Sequence, residues 1–209
     1  MKVIIIDYGM GNVASARKAF QKVGARAVVS RANKDIDSAT HLVLPGVGAF
    51  GDGMDRIRKL GLVEILTRKV VTEKIPFLGI CLGMQLLAET GYEFGEHPGL
   101  GWIRGDVIKF KSPKLRLPHV GWNEIKTKKN AVLFKNIPDK NFYFVHSYYM
   151  KPKDKNIITA TCAYGDMFAA SLQYKNIFAT QFHPEKSQAS GLKLLENFLN
   201  SNLNSNGKD

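Results

Sequence analysis

Cys81 stands where an apolar segment changes into a segment of helical pattern, and a thiol at such a junction can act as a nucleophile. Within GICLGMQLL, residues 79–87, Gly79 and Gly83 lie two residues either side of it. Small residues at both positions are typical of a nucleophile elbow, the sharp turn from strand to helix that exposes a nucleophile. The amino end of the helix would stabilise a thiolate and offer the backbone N–H of Leu82 to an oxyanion. The stretch alone leaves open that Cys81 is a small buried apolar residue.

His183 and Glu185 are two residues apart in QFHPEKS, residues 181–187. On extended backbone both side chains point to the same side, and Pro184 favours the extended form for the residue before it. A carboxylate beside an imidazole fixes its tautomer and stabilises the imidazolium, which a base serving a cysteine requires. A metal site and a plain surface turn are the alternatives. The other histidines are scattered along the chain, so the sequence favours an acid–base pair and no metal site.

A glycine-rich segment, LPGVGAFGDGM at residues 44–54, follows another apolar run. Its four glycines fall within eight residues. That is more than a tight turn needs, and it indicates a close approach of the backbone to a ligand. In a cysteine enzyme, Val47 and Gly48 of this segment could supply a second backbone N–H to an oxyanion.

A competing pattern lies near the start of the chain. Gly9, Gly11 and Ala14 match G-x-G-x-x-A after an apolar run, and Arg31 stands where a 2′-phosphate would bind. This fingerprint makes a dinucleotide-binding module a remote alternative. It leaves Cys81 and the His-x-Glu pair unexplained, and a chain of 209 residues has little room for a separate substrate domain.

Apolar runs and helical patterns alternate along the first half of the chain. This order predicts a parallel sheet with right-handed crossovers and a ligand crevice at the carboxyl ends of its strands. Asn12 is placed to cap the first helix and Gly24 to end it. The expected strands are 2–6, 25–30, 41–44 and 76–80, and the expected helices are 13–23, 62–72 and 82–89.

After about residue 101 the pattern changes to shorter β-rich runs, which predict an antiparallel extension of the same sheet. These runs are 102–110, 142–145, 157–161, 168–174 and 177–181, and a final helix is expected over 187–199. The predicted fold class is therefore α/β, with a mostly parallel central sheet flanked by helices and an antiparallel β extension in the second half. We expect a single domain over residues 1–200 and a flexible polar tail over 201–209.

The chain carries 30 Lys and Arg against 18 Asp and Glu, a formal charge of +12. No basic run is interleaved with stacking aromatics, so we expect no nucleic-acid partner and a solvated basic surface, with attraction of an anionic substrate or partner as an alternative. The longest apolar stretch, 76–88, has 13 residues, and the uninterrupted apolar run before the first acid has only four. We therefore expect no membrane span and a cytoplasmic chain. Cys81 and Cys162 cannot build a disulfide framework, and Cys162 is expected to be inert.

The cysteine elbow, followed far along the chain by His-x-Glu, resembles the class I glutamine amidotransferases, whose Cys-His-Glu triad lies on an α/β sheet. Further stretches narrow the resemblance to the glutaminase subunits of imidazole glycerol phosphate synthases, in register from residue 3 to about residue 200. These stretches are DYGMGN (7–12), LPGVGAFGDGM (44–54), GLGWIRGDV (99–107), PHVGWNEI (118–125), YFVHSYY (143–149) and FHPEKSQASG (182–191). GICLGMQ and FHPE indicate only the superfamily, whereas PHVGWNEI together with HSYY indicates the branch.

The resemblance implies a role for each matching residue. Cys81 would attack the side-chain amide of L-glutamine, His183 would pass a proton to the leaving ammonia, and Glu185 would orient His183. The oxyanion would be held by backbone N–H groups, one of which must flip from its resting orientation. These groups belong to Leu82 and to Val47 or Gly48. The amino acid end of the substrate would be bound by Gln85, Glu93 and the backbone of Ser147 and Tyr148. No cofactor is implied.

Ammonia released into water would be protonated, so a partner that receives it directly is expected. In the family this partner is a (β/α)₈ barrel cyclase, and the two chains form a heterodimer. Asn12, Trp122, Asn123 and Lys186 match the positions that face the partner, although Trp122 could instead be a core aromatic. Paralogues with the same triad supply ammonia to enzymes that amidate nucleotide sugars in surface-polysaccharide pathways. The sequence leaves that alternative open.

Overall fold

The computed structural model describes residues 1–111 and 115–201. Its first half alternates strands and helices, as the sequence predicts. In chain order the elements are β1 (Lys2–Ile6), α1 (Val13–Lys22), β2 (Arg26–Ser30), α2 (Asn33–Asp37), β3 (His41–Gly46), α3 (Phe50–Lys59), α4 (Leu62–Thr67), a π-helical turn (Arg68–Thr72), β4 (Phe77–Cys81) and α5 (Leu82–Gln85). Asn12 caps α1, because its Oδ1 accepts the N–H of Ser15 at 3.2 Å. Gly24, at φ +83°, follows the end of the helix as expected.

Strands dominate the second half. In chain order they and the last helix are β5 (Thr90–Gly91), β6 (His97–Pro98), β7 (Gly105–Lys109), β8 (His119–Thr127), β9 (Asn141–His146), β10 (Tyr148–Pro152), β11 (Ile158–Tyr164), β12 (Asp166–Tyr174), β13 (Ile177–Thr180) and α6 (Gln188–Leu199). Short 3₁₀ turns lie at Val132–Phe134, Lys155–Ile157 and Pro184–Lys186. The predicted final helix is α6, and it agrees with the expected range to within one residue.

Within the described residues, nine strands form one sheet in the order β2-β1-β3-β4-β13-β12-β11-β8-β9. The pairs from β2 to β13 are parallel. The pairs from β13 to β9 are antiparallel. The predicted α/β fold class with an antiparallel extension is therefore confirmed. Because β4 and β13 are parallel neighbours, the residues that follow each of them meet at one edge of the sheet.

Two apolar cores cover the two faces of the sheet. In β1, Val3 and Ile5 belong to one core and Ile4 and Ile6 to the other, and all four are fully buried. The first core contains the apolar faces of α1 and α6. The second contains those of α3, α4 and α5. This double burial explains why β1 is a continuous apolar run instead of an alternating one.

Several elements differ from the sequence-based expectation. The helix after Cys81 ends at Gln85, so the prediction of a helix over 82–89 was wrong for its second half. The N–H groups of Leu87 and Ala88 bond to carbonyls three residues back and that of Glu89 bonds to the carbonyl of Gly105, so the i→i−4 pattern of an α-helix does not continue. Helices α2 and α3 and strands β8 and β10 were not predicted. A second sheet, which within the described residues has the order β10-β7-β5-β6, was not predicted either, and nor were its short strands β5 and β6. Because it contains β7, the expectation that the run 102–110 extends the main sheet was wrong.

The expected tail, residues 201–209, lies outside the described residues except for Ser201. Ser201 is buried, and its hydroxyl donates to the carbonyl of Phe198 at 2.6 Å. In the part of the chain that the structure describes, no helix has the length and apolar character needed to cross a bilayer.

Candidate active site

Cys81 ends β4 and begins the turn into α5, with φ +54° and ψ −110°. A non-glycine residue adopts a positive φ only when its surroundings impose it. The flanking glycines allow the turn because their neighbours leave no space for a side chain. A Cβ on Gly79 would lie 2.7 Å from the carbonyl oxygen of Gly83, and a Cβ on Gly83 would overlap the carbonyl oxygen of Leu44. The predicted elbow geometry is therefore present.

His183 lies just after β13, on extended backbone with φ −99° and ψ 95°. Its Nδ1 is 2.8 Å from Oε1 of Glu185, and both side chains are 2% exposed. The hydroxyl of Ser187 donates to the carbonyl of His183 at 2.7 Å and fixes the turn that carries the pair. The other ring nitrogen, Nε2, is buried and has no hydrogen-bond partner among the described residues. His183 is extended and contacts Glu185 as predicted, but Glu185 lies in the 3₁₀ turn Pro184–Lys186, so the extended backbone expected at Glu185 was wrong.

The charges of this cluster favour a protonated imidazole. Burial by itself would lower the pKa of His183. The negative charge of Cys81, followed by the hydrogen bond and charge of Glu185, outweighs burial and raises that pKa from 6.5 to about 10. The arrangement can therefore hold an imidazolium beside a thiolate, which is the ion pair of a cysteine nucleophile.

A cavity of about 150 Å³ opens at Cys81. It is lined by Val47, Gly48, Cys81, Leu82, Gln85, Glu93, Val145, His146, Ser147 and Tyr148. All the residues expected to stabilise the oxyanion or bind the substrate thus surround one small chamber. Its volume suits a ligand of amino acid size, because sites for larger ligands usually exceed about 300 Å³.

Polar contacts fix the walls of this cavity. Gln85 is buried, and its Nε2 donates to the carbonyl of Tyr148 at 2.8 Å and to Oε1 of Gln181 at 3.1 Å. Oε2 of Glu93 accepts the N–H of Phe50, the first residue of α3, at 2.8 Å. Burial raises the pKa of Glu93. Glu93 therefore ties the loop after β5 to the segment that follows Val47 and Gly48.

Gln181 also lies at the site, although it was not predicted there. Its Nε2 lies 3.7 Å from Sγ of Cys81 while its Oε1 accepts from Gln85, so it bridges the nucleophile and the cavity wall. The signal that could have found it is its place two residues before His183, since residues two apart on extended backbone share one side.

The hydroxyl of Tyr8 is also buried near the nucleophile, without a hydrogen-bond partner among the described residues. A Cβ on Gly46 would overlap this hydroxyl, so the glycine-rich loop passes directly over it. Burial and the charge of Cys81 both raise the pKa of Tyr8, which keeps the phenol neutral. Gly48, at φ +102°, faces the loop after β1 that carries Tyr8, because a Cβ on Gly48 would lie 2.8 Å from Cε of Met10.

The glycines of the competing dinucleotide pattern serve this packing as well. A Cβ on Gly11 would lie 2.9 Å from the carbonyl oxygen of Pro45, so Gly11 allows the loops after β1 and β3 to touch. Gly9 adopts φ +83°, which glycine tolerates best. The pattern is thus explained by contacts between loops.

The four residues expected to face a partner lie at the surface or close to it. Trp122 is 48% exposed, so the alternative of a core aromatic was wrong. Trp122 pairs with Tyr143 across β8 and β9, and Nζ of Lys186 lies 5.7 Å from the centre of the Tyr143 ring. Asn123 is half-buried, and its Nδ2 donates to the carbonyl of Ala163 at 3.2 Å. Asn12 caps α1.

Metal binding and a second reactive thiol find no support in the described residues. No group of three His, Cys, Asp or Glu side chains there could hold a metal ion. Cys162 is buried in the sheet, and burial raises its pKa to about 12. A thiol of that pKa stays protonated and unreactive at neutral pH.

A larger cleft, of about 1490 Å³, lies at the opposite end of the sheet, far from Cys81. Its lysines are Lys74, Lys128, Lys129, Lys135, Lys175 and Lys193. It contains none of the triad or cavity residues, so size alone does not mark the active site. Part of the net positive charge is located here.

A family model described as glutamine amidotransferase class-I matches residues 4–202, and the chain belongs to this family. It is therefore a glutamine amidotransferase. A protein of Campylobacter jejuni strain RM1221, named imidazole glycerol phosphate synthase subunit HisH 1, is 51% identical over 94% of this chain and 98% of its own length. Proteins named subunit HisH of the same synthase are 50% identical in Geobacter sulfurreducens, over 94% of this chain and 97% of that protein, and 48% identical in Aquifex aeolicus, over 95% and 96%.

Solved structures of low sequence identity share the fold. A structure described as glutamine amidotransferase has a TM-score of 0.73 at 19% identity, over 94% of this chain and 97% of the other. The structure of PurLQS from Thermotoga maritima has a TM-score of 0.74 at 18% identity, over 95% and 97%.

Proposed function

We propose that this chain is the glutaminase subunit of an imidazole glycerol phosphate synthase in histidine biosynthesis. In this proposal it hydrolyses L-glutamine to glutamate and passes the ammonia to a (β/α)₈ barrel cyclase, with which it forms a heterodimer. The observation that carries the chemistry is Cys81 on the wall of one small cavity, coupled to the buried side chains of His183 and Glu185. The names of the relatives, at 48–51% identity over nearly their full length, support the pathway.

The proposed reaction uses the imidazolium–thiolate pair directly. Sγ of Cys81 attacks the side-chain carbonyl carbon of glutamine, and the carbonyl oxygen becomes an oxyanion. The C–N bond then breaks while the imidazolium of His183 gives its proton to the departing amine, so that ammonia leaves and a glutamyl thioester remains. His183 next takes a proton from water, which attacks the thioester. Glutamate is released and the ion pair is restored.

Glu185 and the backbone supply the electrostatic part of the proposal. Glu185 holds Nδ1 of His183, so that Nε2 is the nitrogen that exchanges protons at Cys81. The N–H of Leu82, at the start of α5, is one oxyanion donor, and an N–H from Val47 or Gly48 is the second after the loop flips. Gln85, Glu93 and the backbone of Ser147 and Tyr148 hold the amino acid end of glutamine.

We also propose that residues 1–200 act as one domain, which the continuous sheet from β2 to β9 supports. The surface around Trp122, Asn123, Lys186 and Asn12 is the proposed site of the cyclase. No cofactor is needed for these steps. A cytoplasmic location stays a prediction.

The test is the steady-state rate of glutamine hydrolysis by the purified chain alone, with a cyclase, and with the cyclase plus its acceptor substrate. The proposal expects slow hydrolysis by the chain alone and strong stimulation by the loaded cyclase. Stimulation by an enzyme that amidates nucleotide sugars, and not by the cyclase, would assign the chain to the paralogous pathway instead.

A further inference from the structure

Two buried histidines beside the glutamine cavity take no part in the triad. His119 on β8 and His146 on β9 are directly opposite each other on neighbouring strands, and 3% and 6% of their surfaces are exposed. Nδ1 of His119 lies 3.1 Å from Nε2 of His146. His146 also lines the cavity that contains Cys81. Burial of an imidazole costs free energy unless each of its nitrogens has a hydrogen-bond partner, so the donors and acceptors of this pair must match.

The direction of every hydrogen bond in the pair follows from one end. The carbonyl of Tyr148 can only accept, so Nδ1 of His146, 2.8 Å away, carries a hydrogen. Burial lowers the pKa of His146 to about 3 and that of His119 to about 4, so both rings are neutral. Nε2 of His146 is then an acceptor, and Nδ1 of His119 must donate to it. Nε2 of His119 is left to accept from Nδ2 of Asn123 at 3.4 Å.

The Tyr148 end of this series of hydrogen bonds is part of the wall of the substrate cavity. The carbonyl of Tyr148 that accepts from His146 also accepts from Nε2 of Gln85, at 2.8 Å. The other end is Asn123 on β8, which is half-buried, whereas Val120 and Trp122 are exposed on the opposite face of the strand. The hydrogen bonds therefore run without a break from Asn123 to the wall of the cavity.

We propose that His119 and His146 are positioning residues, a hydrogen-bonded relay that holds the Tyr148 carbonyl in place and links it to Asn123 at the surface of β8. The link to a partner rests on the proposed function, because that proposal places the cyclase at Asn123. The positioning of Tyr148 does not depend on it. Contact of a partner with Asn123 moves that end of the relay. The movement passes through the rings of His119 and His146 to Tyr148 on β10, beside the glutamine cavity.

The ring tautomers test the relay in the isolated chain. Nitrogen-15 NMR of labelled histidine is expected to show both His119 and His146 as neutral rings protonated at Nδ1, with assignment by the loss of each signal in a variant. His41, a buried histidine outside the relay, serves as the reference. A hydrogen on Nε2 of either ring would overturn the proposal, because the sequence of donors and acceptors would then be broken.

His119→Phe tests the function of the relay. Phe keeps an aromatic ring between Tyr164 and Phe144, whose ring centres lie 3.9 and 4.9 Å from that of His119, but leaves Nε2 of His146 without a donor. We expect kcat/KM for glutamine to fall about 10-fold, mainly through KM, which corresponds to one buried hydrogen bond. His119→Gln, which has both a donor and an acceptor, should recover part of the loss. Alkylation of Cys81 by iodoacetamide should stay unchanged.

The matched control is Tyr164→Phe. Tyr164 stacks on His119, but its hydroxyl donates outside the relay, to the carbonyl of Arg116 at 2.5 Å. Equal kcat/KM values for the two variants would overturn the relay, and so would a parallel loss of Cys81 alkylation, which would show general damage to the site. If the cyclase fails to stimulate even the unmodified chain, the proposed function fails, while the tautomers and the KM of the isolated chain still decide the relay.

Discussion

Nδ1 of His183 and Oε1 of Glu185 lie 2.8 Å apart, although only Pro184 separates the two residues in the chain. The contact needs His183 extended and the 3₁₀ turn from Pro184 to follow immediately. The carboxylate occupies Nδ1, so Nε2, which has no partner among the described residues, is the nitrogen left for proton exchange.

Replacement of the nucleophile is the first prediction. Cys81→Ala should lower glutamine hydrolysis by at least about 10⁴-fold, because the nucleophile and its base act as one unit. The fold should persist, since the positive φ is set by the surrounding glycines and not by the thiol. Steady-state glutaminase assays measure the rate. Cys162→Ala is the matched control and should keep full activity, and a glutamine-analogue electrophile should label Cys81 alone. Substantial activity in Cys81→Ala would disprove the assignment.

Loss of the carboxylate is the second prediction. Glu185→Gln should lower kcat by about 10²- to 10⁴-fold, because an amide can hold His183 in the wrong tautomer and cannot stabilise an imidazolium. The measurement is kcat for glutamine at saturating substrate. Glu196→Gln is the control, since Glu196 only pairs with Lys193 on the surface of α6 at 3.0 Å. An unchanged kcat in Glu185→Gln would remove Glu185 from the mechanism.

The third prediction concerns pH. The pKa of His183 is raised from 6.5 to about 10, so its contribution to the free energy of unfolding is fully present below pH 6.5 and is lost as the pH rises through 10. Cys81→Ala removes the charge that raises this pKa most. The pKa of His183 should therefore fall, and the alkaline loss of stability should begin at a lower pH. NMR titration of the His183 ring and denaturant unfolding at several pH values measure both effects. Identical titration curves for the variant and the unmodified chain would contradict the charge coupling.

Local patterns explain which parts of the fold could be predicted. β1 and α1 have continuous apolar or helical periodicity with a cap at Asn12, so the sequence alone indicates them. α3 was missed because it starts inside the glycine-rich loop, and glycine disfavours helices. Its glycines are needed for contacts with distant residues: a Cβ on Gly51 would lie 2.7 Å from the ring of His97. Such a requirement appears only when the chain has folded.

The same division applies to the site. Cys81, His183 and Glu185 were found because each lies in a short motif with its own chemistry. The relay through His119 was not, because it depends on a contact between neighbouring strands that no spacing in the sequence encodes, and Gln181 was missed although it lies two residues before His183. β8 was missed for a related reason, since it is largely exposed and contains Gly121 at φ +133°.

The last prediction concerns the glycine-rich loop and the partner. Gly48 adopts φ +102° and its Cα faces Cε of Met10, so Gly48→Val should obstruct the flip that brings the second oxyanion N–H into place. The activity stimulated by the loaded cyclase should fall about 100- to 1,000-fold, the usual effect of losing one oxyanion donor.

Gly24→Val is the matched control, because Gly24 also has a positive φ, +83°, but has open space around its Cβ position and lies far from Cys81. It should lower stability without changing the stimulated rate. Glutaminase assays of each variant with and without cyclase separate the effects. Full activity of the unmodified chain in isolation would refute the gate, because the second donor would then be in place without a partner.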